Sequence, residues 1–538
     1  MSERGSSMQT PPETDVHAEL PRVVPAPFRD RTAEPVRVGV GGRLTLAGAD
    51  PEAADWFTRS ADRLHGLRVE AVRENAGVRV FPAADPAEFA AVAPATGVDP
   101  RPVPGADERH ALEIAEDRIV VRAAGAEGAF RALTSLVQLL TVDAAGGVWA
   151  PRGTVVDGPR YTWRSLSLDV VRHWFTVQEV RRVVDLMALY KFNVLHLHLT
   201  DSQGWSLESR RWPELTRPRP DGTRRYYTRE EFAGLVAHAA HHHVTVVPEV
   251  DLPGHTGAAF DAYPELHGDI PPIHPRARFL HPDSEAALGF ARDVLEEFAE
   301  LTPGRFLHLG GDEPFGMLHD DYVRFVEHTH RSLRATGKRA VGWQETARAG
   351  VLDGEDVLQY WIGAPDEFDA EGIKAQVPPE YHAVVDRAAE SFRISPGDAP
   401  AAVRAGVPVL VAPNSRLYLD RSYADACADP AQENDRERLG LPAYEPITVA
   451  DTFAWDPDDT AESAAPGACV AGVEAAVWGE TMTGFDDLAF LLLPRLPGVA
   501  EKAWTRRRTE WAGHRRSLAA HRAFWDALGF GNHFRPAD

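Results

Sequence analysis

Cysteine, lysine and long apolar runs are all scarce in this chain, and each scarcity closes off a class of function. Two cysteines, Cys427 and Cys469, stand among 538 residues. They can build no disulfide framework, and their spacing matches no zinc pattern, so both read as incidental thiols. Four of the 57 basic residues are lysines (Lys191, Lys338, Lys374 and Lys502), which with the abundant alanine marks a GC-rich coding sequence more than a function. Basic charge is short overall: 57 Lys+Arg against 80 Asp+Glu leaves −23. Neutralising phosphates needs a basic surface, so nucleic acid is not an expected partner. The longest apolar run, around Leu488–Leu493, falls far below the ~20 residues that cross a bilayer. No membrane partner is expected. The opening residues, MSERGSSMQTPPETD, are polar and lack the apolar stretch of a secretory signal. Read as written, the protein is expected in the cytoplasm.

What is present is ordinary globular material. Hydrophobic residues make up 44% and charged residues 25%, which excludes a disordered chain. The length leaves room for about two to four units, or for one large barrel with an appendage. Residues 1–32, rich in Pro, Ser, Thr and charge, read as a disordered lead-in. Residues 33–158 read as a small α+β domain. There PVRVGVGGRLTLAG alternates like strands, 51–64 has helical spacing and GVRVFPA returns to strand. Residues 110–140 then give two strands, a glycine-containing turn and an amphipathic helix from about Glu127.

From 159 to 505 short β-branched runs alternate with helical patterns, the mark of βα units and a parallel sheet. Eight strands are expected: Ser165–Val170, Asn193–Leu199, Val244–Val250, Arg305–Leu309, Arg339–Trp343, Asp356–Trp361, Pro408–Ala412 and Gly472–Trp478. Helices fall between them, at Val177–Tyr190, Arg229–His242, Ser284–Leu301 and Asp320–Ala335. This is an α/β fold, a (β/α)8 TIM barrel preceded by the small α+β domain. Residues 506–538 form a C-terminal helical extension. Two connections, 362–407 and 413–470, are long enough to be site walls, lids or surface insertions.

Chemistry in such a barrel belongs at the C-terminal strand ends. Those ends carry Asp169 and Arg172, then His196, His198 and Asp201, then Glu249, Asp251 and His255. Asp312-Glu313 follow strand 4, Trp343 and Glu345 strand 5, Trp361 strand 6, Tyr418 and Asp420 strand 7, and Trp478 and Glu480 strand 8. Asp312-Glu313-Pro314 could merely start a helix. The preceding Gly310-Gly311 instead lets backbone and ligand approach closely, and neighbouring carboxylates push one pKa up and so keep a proton for acid catalysis. Three tryptophans beside Tyr418 and several acids make an apolar-walled pocket with polar groups at its base, which suits the stacked face and hydroxyls of a pyranose. Arg172 could chelate two hydroxyls or simply pair with Asp169. His196 and His198, two apart on a strand, share a face and could hold zinc. Strands 5 to 8 end in no further histidine, so they read as hydrogen-bonded struts with no metal. His241-His242-His243 reads as a solvated helix end.

Seven segments carry a family likeness: LSLDVVRHWF, KFNVLHLHLTDSQGW, VVPEVDLPGHT, FLHLGGDE, VGWQE, RLYLD and EAAVWGE. In this order they resemble the catalytic barrel of family 20 glycoside hydrolases, the β-N-acetylhexosaminidases, and 110–140 resembles the end of the α+β domain that precedes it in many members. The resemblance implies an exo-acting, retaining enzyme that releases terminal β-linked GlcNAc or GalNAc through an oxazolinium intermediate. Glu313 would be the general acid/base, Asp312 would orient the acetamido group and Tyr418 would donate to its oxygen. Trp343, Trp361 and Trp478 would enclose the sugar, and Arg172, Asp420 and Glu480 would bind its hydroxyls. Asp201 and His255 would support Glu313. No cofactor is implied. The partner would be a small oligosaccharide or glycoconjugate, and the enzyme a monomer or homodimer. Ser202 stands where the family usually has a second acid, and the 362–407 connection carries an extra segment, Val377–Ala401, that bears on Trp361 and on the aglycone. An inactive sugar-binding relative, or a metal-dependent barrel hydrolase using His196 and His198, are the alternatives.

Overall fold

The computed structural model describes residues 22–82, 89–101, 107–218, 222–268, 278–363, 368–442 and 444–537. Its centre is a closed barrel of eight parallel strands in sequence order, the last pairing with the first. In chain order the strands are Trp163–Asp169, Val194–His198, Thr245–Glu249, Phe306–His308, Arg339–Trp343, Val357–Tyr360, Val409–Val411 and Val470–Val477, hereafter barrel strands 1 to 8. Every expected strand is present within a few residues. The helices Val177–Leu189, Arg229–Ala240, Glu285–Leu301 and His319–Ala335 flank them. Two begin with a Thr whose hydroxyl accepts from the third backbone N–H while a Glu side chain returns the bond, at Thr176/Glu179 and Thr228/Glu231. That reciprocal cap satisfies two otherwise unpaired donors at each helix start.

The foot of the barrel interior is apolar: Trp163, Val194, Val247, Phe306, Val341, Val357 and Leu410 pack there as a separate layer. Polar residues therefore begin one layer up, toward the strand C-termini.

Ahead of the barrel lies a second sheet, in the order Arg29–Gly39, Val148–Asp157, His110–Ala115, Arg118–Ala123, Val78–Pro82, Arg43–Ala47, Arg68–Ala71, with Thr141–Val142 beside the second. Helices Pro51–His65 and Ala126–Leu139 pack on it. The short strand Arg68–Ala71 went unread in the sequence because most of its side chains face solvent. Of the expected lead-in, residues 1–21 lie outside the described residues. The remainder is a correction: Val23 and Val24 are buried, Gln138 bonds both the N–H and the carbonyl of Val24, and Arg29 already begins a strand.

Helix Ala126–Leu139 is buried along nearly its whole length, so its polar side chains need internal partners. Arg131 meets Glu108 at 2.9 Å and Glu127 at 2.8 Å. Glu108 in turn accepts from Arg164 of barrel strand 1 at 2.6 Å, which ties the two sheets together. Burial alone would raise the Glu108 carboxyl, but Arg164 and Arg131 hold it down to about 2.

Helices fill the two long connections. Residues 362–407 carry Ala370–Gln376, His382–Ile394 and Asp398–Arg404, and 413–470 carry Asn414–Leu417, Glu433–Arg438, Val449–Phe453 and Pro457–Ala464. Arg348 clamps the first of these connections to the barrel through Asp398 at 2.7 Å and Ser391 Oγ at 3.0 Å.

Replacing Glu108 with alanine leaves the buried Arg164 guanidinium without a counter-charge and Arg131 with Glu127 alone. Breaking a buried pair on one side costs about 3–5 kcal/mol. Chemical denaturation of Glu108→Ala should show a loss of that size, whereas a change within ~0.5 kcal/mol would mean the junction does not depend on the charge.

Candidate active site

Barrel strand 4 ends at His308, and the chain then turns through Gly310 (φ 67°) and Gly311 (φ 104°) into Asp312 and Glu313. A Cβ on Gly310 would sit 1.8 Å from Asp251 Oδ1. Glycine is needed there both for the left-handed backbone and for the close approach. Glu313 (φ 50°) and His255 (φ 52°) also hold left-handed conformations that non-glycine residues seldom adopt. The next helix begins only at His319, so Asp312-Glu313-Pro314 is not its cap.

Beneath this turn a ring of side chains closes on itself. Glu474 accepts from Gln359 at 2.7 Å and faces His196 Nδ1 at 2.9 Å. His196 Nε2 lies 3.1 Å from Glu249, whose carboxylate also meets His198 Nδ1 at 2.7 Å, His308 Nδ1 at 3.1 Å and the Trp343 indole N–H at 2.9 Å. His308 returns to Gln359 at 3.1 Å. Burial opposes charge on these imidazoles, yet the carboxylates outweigh it and raise His196 to about 10 and His198 to about 9. Both rings have each nitrogen set against a carboxylate. Each ring is thus set within a network of carboxylates, the strut arrangement expected from the sequence.

Above His198 the chain of charges reaches the mouth. His198 Nε2 lies 3.0 Å from Asp201, which also takes Arg172 at 2.6 Å and His255 Nδ1 at 3.2 Å. Despite burial, His255 and Arg172 hold Asp201 well below the usual carboxylate range. His255 Nε2 is 3.5 Å from both Asp312 and Glu313. Burial lowers the affinity of His255 for a proton, but Asp201, Asp251 and Asp312 raise it well above the usual value. Burial and the adjacent Asp312 push the Asp251 carboxyl well above the usual range. The sequence reading expected that effect between Asp312 and Glu313 themselves.

The aromatic residues meet as one cluster. Trp361 and Tyr418 lie parallel, 6.2 Å apart at 5°, and Trp343 and Trp478 stand 5.9 Å apart at 46°. Tyr418 packs edge-on against Trp478 at 5.7 Å. Trp361 is fixed by its indole N–H on Glu345 at 3.0 Å and by Gln344 accepting from its backbone N–H at 3.1 Å. Phe392 of the extra segment caps its other side at 5.9 Å. Asp420 is buried with neither carboxylate oxygen bonded within the protein, and burial with Glu480 nearby raises its pKa to about 8. Arg172 is anchored by Asp201 rather than mainly by Asp169, which sits 3.4 Å away, and it approaches Glu480 at 4.0 Å. A cavity of about 510 Å³ opens over Arg172, Asp201, His255 and Glu313, with Gln203, Arg278, Phe279, Phe315 and Val384 as its outer wall.

All eleven residues singled out in the sequence therefore lie around one mouth. Tyr444 went unread. It packs edge-on against Tyr418 at 5.9 Å, and burial together with Asp420 and Glu313 raises its pKa well above the usual value. It comes from the long 413–470 connection, where no periodicity marks it. The roles of Glu474, Gln359 and His308 follow only from the closed ring.

Comparison with known proteins places this arrangement. Residues 161–507 match the model of the glycosyl hydrolase family 20 catalytic domain, and residues 20–158 match domain 2 of the same family. The β-N-acetylhexosaminidase of Cellulomonas fimi is 37% identical over 446 residues, covering 81% of this chain and 82% of that protein. The Streptomyces plicatus N-acetyl-β-hexosaminidase in complex with Thio-NAglucal superposes with a TM-score of 0.76 at 32% identity, covering 95% of this chain and 96% of that one. A variant of the same enzyme in complex with the product GlcNAc gives 0.76 at 31%, covering 96% of each chain.

Two outcomes follow from the geometry. Gly310→Ala forces Asp251 and the Asp312-Glu313 turn apart, and displacement of about 1 Å costs roughly 100-fold in rate; near-normal turnover by a folded variant would contradict the packing. The second concerns pH. An unfolded histidine titrates near 6.5, and His198 and His196 are raised to about 9 and 10. Their ion pairs contribute fully below about pH 6.5 and are lost as pH rises through about 9–10. Thermal stability should fall across that window, and a flat profile would remove the charge from these rings.

Proposed function

This chain belongs to family 20 of the glycosyl hydrolases, and from its site we propose how its exo-β-N-acetylhexosaminidase activity is divided among particular residues. The observation that carries this reading is the juxtaposition of a solvent-reaching Glu313, a neighbouring Asp312 with one buried unbonded oxygen, and a closed aromatic box. Adjacent carboxylates on one turn cannot flank a sugar from opposite faces, which a protein nucleophile and acid pair requires. The nucleophile is therefore the substrate's own acetamido oxygen.

Trp343, Trp361, Trp478 and Tyr418 enclose the acetamido methyl and the apolar sugar face. Asp312 accepts the acetamido N–H and turns its carbonyl oxygen toward the anomeric carbon, while the Tyr418 hydroxyl donates to that oxygen. The oxygen forms its bond to the anomeric carbon as the glycosidic bond breaks, and Glu313 gives its proton to the departing oxygen. Glu313 then takes a proton from water, which opens the oxazolinium ring with net retention. Arg172, Asp420 and Glu480 bind the sugar hydroxyls. The two carboxyl oxygens of Asp420, unbonded within the protein, are left to pair with a terminal hydroxyl pair. His255, fixed by Asp201, keeps a positive charge between Asp312 and Glu313 and so positions both. The outer wall from Phe279 to Val384 receives the aglycone, and Val384 belongs to the helix His382–Ile394 of the extra segment.

Rates on an aryl β-GlcNAc substrate test the assignment. Removing a general acid/base costs roughly 10²–10⁴-fold, so Glu313→Gln should fall by that much, and Asp312→Asn should fall with it. Tyr418→Phe removes one transition-state donor and should lose roughly 10²–10³-fold in kcat. A thiazoline mimic of the bicyclic intermediate should inhibit wild type and bind poorly to Asp312→Asn. Full activity in folded Asp312→Asn would overturn the acetamido role.

A further inference from the structure

On the outer side of the barrel, three side chains that the reaction does not use converge. Asp185 lies on helix Val177–Leu189, His238 on helix Arg229–Ala240, and His242 just past the end of the latter. Barrel helices run back from the strand ends, so the later turns of these helices lie at the foot of the barrel, away from the mouth. The sequence reading of His241–His243 as a solvated turn needs correction here. His241 is exposed, but His242 is buried, and burial lowers His243 to about 4.

Nε2 of His238 and Nε2 of His242 each lie 3.3 Å from the same oxygen, Asp185 Oδ1, and the two rings sit 4.4 Å apart. His242 Nδ1 is 2.7 Å from the His238 carbonyl oxygen. That oxygen only accepts, so Nδ1 carries the proton, and in the neutral ring Nε2 aims a lone pair at Asp185. His238 Nε2 is buried and makes no hydrogen bond. The His242 lone pair and the Asp185 carboxylate oxygen attract only with a proton or a metal cation between them, and a cation placed there would also meet His238 Nε2. The spacing fits one: ligand atoms about 2.0–2.1 Å from a tetrahedral zinc are about 3.3 Å from each other. Asp185 Oδ2 is held by Arg63 at 3.1 Å, the kind of outer contact that orients a ligating carboxylate. Arg63 is itself fixed, its Nε donating to the Ala527 carbonyl at 2.9 Å. A cavity of about 290 Å³, lined in part by Ser60, Leu64 and Leu528, adjoins the three ligands and gives room for a water as the fourth.

We propose that Asp185, His238 and His242 form a structural binding site for a divalent ion of the zinc class, which ties two barrel helices together and, through Arg63, to helix Pro51–His65. Without the ion, only the direct contacts of His238 and His242 with Asp185 join the two helices there.

The test uses full-length protein stripped by chelator and dialysed, titrated with Co²⁺ by visible spectroscopy and with Zn²⁺ by calorimetry. Wild type should take up about one equivalent, give the ligand-field bands of low-coordinate cobalt, and lose them when zinc is added. Asp185→Asn, His238→Gln and His242→Gln should each abolish the bands and weaken zinc by at least roughly tenfold. Hydrolysis of aryl β-GlcNAc should be unchanged in all three, which also reports that they fold. His281→Gln, in a separate His281/Asp283/Asp321 cluster, should bind as wild type does. Absence of cobalt bands in wild type, or bands that survive Asp185→Asn, would overturn the site. Should one variant fail to fold, wild type and the other two still decide the matter.

Discussion

Glu249 sits fully buried on barrel strand 3 among three imidazoles and an indole N–H, and the rest of the site depends on its remaining an anion there. A bare carboxylate in a low-dielectric interior would take up a proton. His198, His308 and His196 prevent that and hold its pKa well below the usual value despite burial. The anion in turn fixes Trp343, and through His198 it places Asp201. From Asp201 the order passes to Arg172 on one side and to His255 on the other. Each link is an alternation of opposite charges, so a change in any one is felt by its neighbours.

This alternation explains why the reacting end can hold so many acids. Asp251, Asp312, Glu313 and Glu480 crowd one mouth, and without cations they would share protons in an uncontrolled way. Two fixed cations, His255 and Arg172, divide the crowd. His255 faces Asp312 and Glu313, and Arg172 faces Asp201 and Glu480. Asp251, pushed well above the usual carboxylate range by burial and by Asp312, is not among the residues lining the cavity. Glu313 is left reaching toward solvent, where it can exchange a proton with a leaving group and then with water.

Most of this frame was legible because parallel barrel strands are short apolar runs with polar residues at one end. Arg172, Asp312, Glu313, Trp343, Trp478 and Glu480 all follow directly from strand ends, so position along the chain told their place in space. What escaped depends on contacts between distant segments. Tyr444 lies in an irregular connection and becomes part of the box only by packing on Tyr418. The Asp251 carboxyl is pushed up because the fold buries it and sets Asp312 beside it. Val23 and Val24 form an anchor too short for any periodicity to reveal. His242 looks solvated in sequence, but Asp185 of helix Val177–Leu189 and the ring of His238 pack beside it and it is buried.

The central claim is that the substrate, not the protein, supplies the nucleophile within the aromatic box. Aryl β-glycosides that differ only in having acetyl, fluoroacetyl, difluoroacetyl or trifluoroacetyl on the 2-amino group measure it most directly, since fluorine drains the carbonyl oxygen while barely changing its size. The rate constant should fall steeply with each fluorine, and the 2-hydroxy analogue should be inert. Rates independent of fluorination would show that a protein group attacks the anomeric carbon, and the roles given to Asp312 and Tyr418 would then be wrong.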